Sequence, residues 1–337
     1  MPTSQGDLRG DEGHGARNRG ERLVIVANPN AAGGRAGKAR EAIEQAARRA
    51  FEHVDVRWTL RPGHAAELAR AAAEEGVDIV AALGGDGTCN EVVNGLMGES
   101  GPLNPRVIFT TLPFGTGGDL ARTLQIPRRL GDALWVASTG TTVHVDVGRV
   151  EFAAGGGHWF LNVSGAGANA DVCVRVNASA KPFGGTLAFL GAMLATEREF
   201  APIPATWTWR GPEGEGRCAM DTLASFVANA HYCGAGMYVG RGGSMADGCF
   251  DVTLVPRLSF AEALLALPHT RTGELLRIPG VVRFKASEVL MEGALRVETD
   301  GEPRQVGPAR FTVQTRSLQV RGAWSRPPVA SEEIREL

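Results

Sequence analysis

The sequence predicts a two-domain α/β protein, a Rossmann-like parallel-sheet domain followed by a mostly β domain, and three observations carry that expectation. From residue 23 onward, short apolar runs ("LVIVANP", "VDVRWTL", "VDIVAAL", "VIFTTLPFG") alternate with segments of helical spacing ("AGKAREAIEQAARRAF", "HAAELARAAAEEG"). Strands separated by helices imply a parallel sheet with right-handed crossovers. After "TVHVDVGRV" (142–150) the texture changes to short β-like segments broken by Gly and Pro: "HWFLNV", "ATWTW", "LASFVANA", "DVTLVP" and "ARFTVQT". The 337 residues, 43% hydrophobic, are enough chain for about two cores.

Residues 1–20, "MPTSQGDLRGDEGHGARNRG", lack the apolar centre of a signal peptide and are read as a disordered tail, with ordered structure starting near Arg22. An α/β domain is placed at 21–145 and a mostly β domain at 146–322, with one helix expected around 187–198. Residues 323–337 are read as a C-terminal tail that packs back on the first domain. A net charge of -2 with no basic cluster argues against a nucleic-acid partner. Five scattered cysteines without a CxxC pair argue against a disulfide framework or a zinc site and point to a reduced cytoplasm. No apolar run reaches the roughly 18 to 20 residues needed to span a bilayer, so membrane contact is expected to be peripheral. The amphipathic stretch "LSFAEALLAL" (258–267) is its candidate, set against an ordinary packed helix.

The chemistry lies at strand ends, where ligands of parallel sheets bind. In "ALGGDGTCNEVVNG" (82–95), Gly84, Gly85 and Gly87 let amides approach a ligand, and Thr88 and Asn90 can cap a helix whose N-terminus favours anions. Asp86 inside a phosphate site would repel the ligand unless it serves as a base or as a ligand to metal-bound water, so the loop points to Mg-nucleotide chemistry; a carboxylate merely capping a turn is the alternative. "NPNAAGGRAGK" (28–38) follows the first strand as a phosphate-handling loop would, but Ala32 and Ala39 break the Walker pattern. "LPFGTGGDLARTL" (112–124) delivers Asp119 at a helix start, as N-cap or substrate contact. "GAGANA" (165–170) lacks the later acidic residue of a dinucleotide site, and "GGSMA" (242–246) misses the nucleophile elbow by its last residue. The seven histidines form no HxxxH pair.

Taken together, "GGDGTCNEVVNGL", "LPFGTGGDLARTL", "DVGRV", "FLNVSGAGANADV" and "ETDGEP" resemble, in order, the blocks of the bacterial diacylglycerol kinase catalytic family, soluble lipid kinases related to sphingosine and ceramide kinases. The resemblance covers roughly residues 23–322. It implies an NAD-kinase/diacylglycerol-kinase-like fold with a C-terminal β-sandwich, use of ATP and Mg2+, and a lipid alcohol as acceptor, with a homodimer among the expectations. It places ATP phosphates on Gly84, Gly85, Asp86, Gly87 and Thr88, adds Asn28, Thr116 and Lys38 to the nucleotide site, and sets Asp119 and Arg122 toward the acceptor. Asp300 and Glu302 become acidic catalytic residues with Asp86, the base being Glu302 or Asp86, and "DGCFDV" makes Asp247 the candidate for a structural magnesium. Two departures stand out: Gly118 replaces the family's Asn before the loop aspartate, and Gly240-Arg241 replaces its Ala-Pro. A kinase of a non-lipid acceptor such as NAD and a non-catalytic nucleotide-binding module remain the alternatives.

Overall fold

The computed structural model describes residues 17–115, 118–178, 202–240 and 242–324. The chain divides into two compact units: the first ends at Val145 and resumes at Ser317, and the second runs Asp146–Arg316. The helix expected at 187–198 lies outside the described residues.

In the first unit β1 (Asn18–Ala27), β2 (Phe51–Trp58), β3 (Ile79–Gly84) and β4 (Ile108–Pro113) run parallel in the order β2-β1-β3-β4. The end of the final strand, Ala309–Gly322, joins β4 in parallel through Gln319 opposite Ile108 and Val320 opposite Phe109. Helices α1 (Ala31–Lys38), α2 (Arg40–Ala50), α3 (His64–Glu74), α4 (Asp86–Leu96), α5 (Asp119–Thr123) and α6 (Leu130–Thr139) make the connections. Residues 23–27 of β1 and 79–83 of β3 are buried without a polar interruption, the signature of strands covered on both faces. The spacing of Ala65, Ala69, Ala72 and Ala73 gives α3 a smooth buried face, and α4 packs tightly on that helix. A Cβ on Gly95 would sit 2.2 Å from the Ala66 carbonyl oxygen, so only glycine fits there.

One cation ties the returning strand down. The Arg321 guanidinium, 7% exposed, donates to both Glu21 oxygens at 2.8 and 2.7 Å, to the Ala137 carbonyl and to Thr142 Oγ1. Planar donors in a fixed fork suit such a bidentate partner better than an ammonium would. Two boundaries therefore differ from the sequence reading. Asn18 opens β1 inside the stretch expected as tail, its side chain donating to Glu21 and to the Ser138 carbonyl. Residues 317–322, expected in the second domain, belong to the first because their ladder partner is β4.

The second unit begins within β5 (Thr141–Phe152) and continues through β6 (Gly157–Phe160), β7 (Val163–Gly167), α7 (Ala168–Ala178), β8 (Ile203–Gly211) and β9 (Gly214–Ala228). It goes on through the small hairpin β10 (Tyr232–Cys233) and β11 (Met237–Tyr238), then β12 (Phe250–Pro256), α8 (Phe260–Thr272) and β13 (Val282–Ala286). The last strands are β14 (Glu288–Glu292), β15 (Arg296–Thr299), β16 (Glu302–Val306) and β17 (Ala309–Gly322). Strand β9 changes partners along its length: residues 214–222 pair with β8, and residues 224–228 lie between β7 and β12. A strand that passes from one ladder to another is how sandwich corners are made. The sandwich core is aromatic and aliphatic, with Trp207, Phe160, Phe250 and Phe311 fully buried and Trp207 Nε1 satisfied by Thr222 Oγ1 at 3.0 Å. Gly148 in "DVGRV" is required by this core, because a Cβ there would lie 2.2 Å from the Phe160 ring.

Replacing Arg321 by Met keeps the buried stem and leaves Glu21 without its fork. Urea unfolding should show a loss of roughly 2–4 kcal/mol, the lower side of the range for breaking a buried pair because the Glu21 side chain keeps 29% of its exposure. Arg321 holds the Glu21 carboxyl below its ordinary range, so the pair's contribution is present above the unfolded value and lost as pH falls through the folded one. The difference between variant and wild type should therefore shrink in acid.

Candidate functional site

The first unit's chain leaves β1 toward β2 on one side and β3 toward β4 on the other, so the order reverses between β1 and β3. Loops at the carboxyl ends of such a pair diverge and leave a crevice, where ligands of open α/β sheets bind. Asn28 and the glycine loop meet there. The Asn28 amide donates to the Leu83 carbonyl at 3.0 Å, its side-chain amide reaches Thr88 Oγ1 at 3.4 Å, and its Oδ1 accepts from the Asn30 amide at 2.9 Å. The loop then turns through three successive left-handed residues, Ala32, Gly33 and Gly34 with φ of 54°, 68° and 83°, before ending in exposed Lys38. A non-glycine in that region costs of order 1 kcal/mol, and such outliers collect at functional sites.

The glycines of the second loop have different causes. A Cβ on Gly84 would fall 2.4 Å from Thr88 Oγ1, so packing forbids it. At Gly85 neither packing nor conformation forbids one: no atom lies within 4 Å of the Cβ position, and φ -98°, ψ -171° is open to any residue. What its missing side chain leaves is a bare main-chain amide beside the N-terminus of α4, an eleven-residue helix.

Asp86 acts as a clamp on the next loop. Its Oδ2 accepts from the Gly118 and Asp119 amides at 2.9 and 3.2 Å, and its Oδ1 from Leu120 at 3.1 Å. Three of a carboxylate's four lone-pair positions are thereby committed to main chain. Gly118 lies in the left-handed region at φ +93°, which glycine adopts without strain. Asp119, with a side chain 6% exposed, pairs with Arg122 Nη1 at 2.6 Å, so the two acceptor-side candidates hold each other. Thr116 lies outside the described residues.

The second unit repeats the clamp. Asp300, at φ +50° in the turn from β15 to β16, accepts from the Asn162 and Val163 amides at 3.0 Å each through Oδ1 and from Leu161 at 3.1 Å through Oδ2. Glu302 opens β16 two residues on, half-buried. The sequence reading missed Glu298. It is 5% exposed, accepts from the Gly301 amide at 2.9 Å and from Asn169 Nδ2 at 3.4 Å, and so supports the turn that carries Asp300 and Glu302. Burial, with the Asp300 charge added, pushes its carboxyl up to about 8 against the opposing Gly301 and Asn169 hydrogen bonds. Its signal was the first letter of "ETDGEP", but nothing local in the sequence shows that Asn169 lies against it.

Asp247 has partners of its own. Its Oδ2 meets Lys285 Nζ at 2.5 Å and its Oδ1 accepts from the Cys249 amide at 3.2 Å. Among the described residues no group of three His, Cys, Asp or Glu is placed to hold a metal ion, and a divalent ion on Asp247 would have to displace the ammonium. As placed, the Lys285 ammonium takes the position beside Asp247 that a magnesium would need. No helix among the described residues is long and apolar enough to cross a membrane.

Comparison with known proteins agrees with this layout. Residues 22–150 match the diacylglycerol kinase catalytic domain and residues 162–322 the YegS C-terminal NAD kinase beta sandwich-like domain. A diacylglycerol kinase of Bacillus subtilis (strain 168) is 29% identical over 265 residues, 77% of this chain and 82% of its own length. A protein of Xanthomonas campestris pv. campestris (strain 8004) named "Probable lipid kinase YegS-like" is 30% identical over 268 residues, 78% of this chain and 84% of its own. The solved structure of a diacylglycerol kinase from Bacillus anthracis str. Sterne aligns with a TM-score of 0.69 at 23% identity, covering 90% of this chain and 97% of that one, which is a likeness of fold.

Glu298 should leave a mark on stability. In the folded protein it holds a proton up to about 8, whereas the unfolded chain releases it near the ordinary 4.5, so the unfolded state binds fewer protons across that window. Stability should fall as pH rises through it, and Glu298→Gln, a permanent mimic of the neutral acid, should flatten that slope. Denaturant midpoints measured from pH 5 to 8 for both proteins check this; equal slopes would remove the neutral carboxyl.

Proposed function

Because the chain belongs to the diacylglycerol kinase and YegS-like lipid kinase family, we propose that it transfers the γ-phosphoryl group of MgATP to the hydroxyl of diacylglycerol or a related lipid alcohol. The observation that carries this reading is Gly85, a glycine that neither its conformation nor its neighbours require, at the mouth of α4 and beside the Asn28–Thr88 contact. An absent side chain there serves a ligand that comes close to main-chain amides, and phosphate is the ligand that helix N-termini favour.

Phosphoryl transfer passes through a loose transition state with charge spread over the γ-oxygens, so a protein contributes mainly position, opposite charge and a base. In this reading Asn28, Gly84, Gly85, Gly87 and Thr88 receive the nucleotide phosphates, Lys38 and Thr116 complete that site, and magnesium arrives with ATP. The committed oxygens of Asp86 and Asp300 favour positioning roles for both. Of the two candidate bases, Glu302 and Asp86, we take Glu302, which opens β16 beside the Asp300 turn: its carboxylate would take the acceptor's proton as the new O–P bond forms and the β,γ-bridge breaks to release MgADP. The acid–base pair Asp119 and Arg122 would sit on the acceptor side, with the guanidinium partly exposed. The acceptor resides in a bilayer; α8 does not gather its apolar residues on one face as the amphipathic reading expects, and the support for peripheral contact there is the exposure of Leu265 (73%) and of Leu276 (62%), three residues beyond the helix's Gly273 cap.

Labelled ATP supplied with a lipid extract should give a labelled phospholipid, and label appearing only in a water-soluble acceptor would overturn the lipid assignment. Gly85→Val should lower ATP affinity by about tenfold or more in calorimetry with the thermal midpoint unchanged, because the added carbons enter open space.

Glu302→Gln and Asp86→Asn should part company. The first should lower kcat about 10²-fold or more while stability and ATP affinity hold. The second turns an acceptor into a donor facing amides and should cost about 1–3 kcal/mol of stability in step with activity. A near-normal kcat for Glu302→Gln would take the base away from that residue.

A further inference from the structure

Three carboxylates of the second unit, Asp146, Asp247 and Asp251, lie within electrostatic reach of one another, and each is already answered by the chain. Asp146 accepts from the Arg316 and Gly248 amides at 2.7 Å each. Asp251 Oδ1 meets Arg283 Nη2 at 3.1 Å, and a Cβ on Gly243 would fall 2.1 Å from its Oδ2, so that loop runs hard against the carboxylate. Asp247 divides its oxygens between the Cys249 amide and Lys285 Nζ. The cations are set by register. Strands β12 and β13 pair antiparallel with Lys285 opposite Asp251 and Arg283 opposite Thr253, so residues 283 and 285, two apart, project from the same face.

We propose that Lys285 is the built-in counter-ion of this carboxylate cluster and takes the place of a divalent metal in it. A bound magnesium ion keeps several waters and takes one or two carboxylates. The Asp247 oxygen it would take already meets Lys285 Nζ, and a divalent ion and an ammonium a few ångströms apart repel. A strand-borne cation also arrives with the fold and needs no ion from solution. The inference stands independently of any catalytic role for other residues.

The test uses the full chain without nucleotide, its thermal midpoint read in excess EDTA and in millimolar Mg2+. The wild type should show the same midpoint in both, to within about 1 °C. Lys285→Met, which keeps the stem and removes the charge, should become metal-dependent, melting lower in EDTA than in Mg2+ by about 3 °C or more, and adding Asp247→Asn should abolish that difference. Lys285→Gln serves if the Met variant fails to fold, and Lys285→Arg should remain indifferent to metal. A wild type that loses stability in EDTA while Asp247→Asn does not, or Lys285 variants as indifferent to metal as the wild type, would overturn the proposal.

Discussion

A single carboxylate facing three successive main-chain amides is the contact on which the candidate site rests. Asp86 holds residues 118–120 in this way and Asp300 holds 161–163, the first at the opening of α5 and the second on the way into β7. A buried amide left unpaired costs about as much as a broken hydrogen bond, so each clamp removes several such costs at once. Side chains of neutral polarity could not take three donors on two atoms so compactly. Loops that must stay open toward a ligand on one side are thereby fixed from the other.

The clamps also recast two substitutions relative to the family pattern. Gly118 departs from the Asn of the pattern the sequence resembles, and its φ of +93° lies in the left-handed half of conformational space, where glycine is at ease and asparagine is among the few other residues tolerated. At Gly240 a Cβ would meet the Ala230 carbonyl oxygen at 2.3 Å, so this loop packs against main chain at a place where any larger residue needs another path.

Much of the fold was legible because its signals are local. Unbroken apolar runs at 23–27 and 79–83 announce strands buried on both faces, and the "GGDGT" and "NP" turns follow them directly. The meeting of Asn28 with Thr88 follows from parallel topology once those strands are adjacent. Glu298, Lys285 and Asp146 were not read as site or structural residues because what defines them is remote. Asp146 answers amides 102 and 170 positions away, Glu298 an amide nitrogen 129 away, and Lys285 a carboxylate 38 away. A single sequence carries no mark of such pairs. The reassignment of residues 317–322 has the same origin, since "SLQVRG" looks like any edge strand until β4 is found beside it.

That last strand bears on the order in which the protein can be made. β4 has β3 on one side and residues 319–320 on the other, and Arg321 closes over Glu21, so the earliest strand to be synthesised waits for one of the latest. While the ribosome is still producing the second unit, the first has its described helices and four of its strands, but Ile108 and Phe109 lack the ladder partners that residues 319 and 320 bring. Such an edge invites pairing with another chain. The nascent N-terminal half is therefore a client for chaperones in proportion to how long the sandwich takes to emerge, and slow translation of residues 146–316 would lengthen that exposure. A fragment cut at the domain boundary would carry the same bare edge permanently.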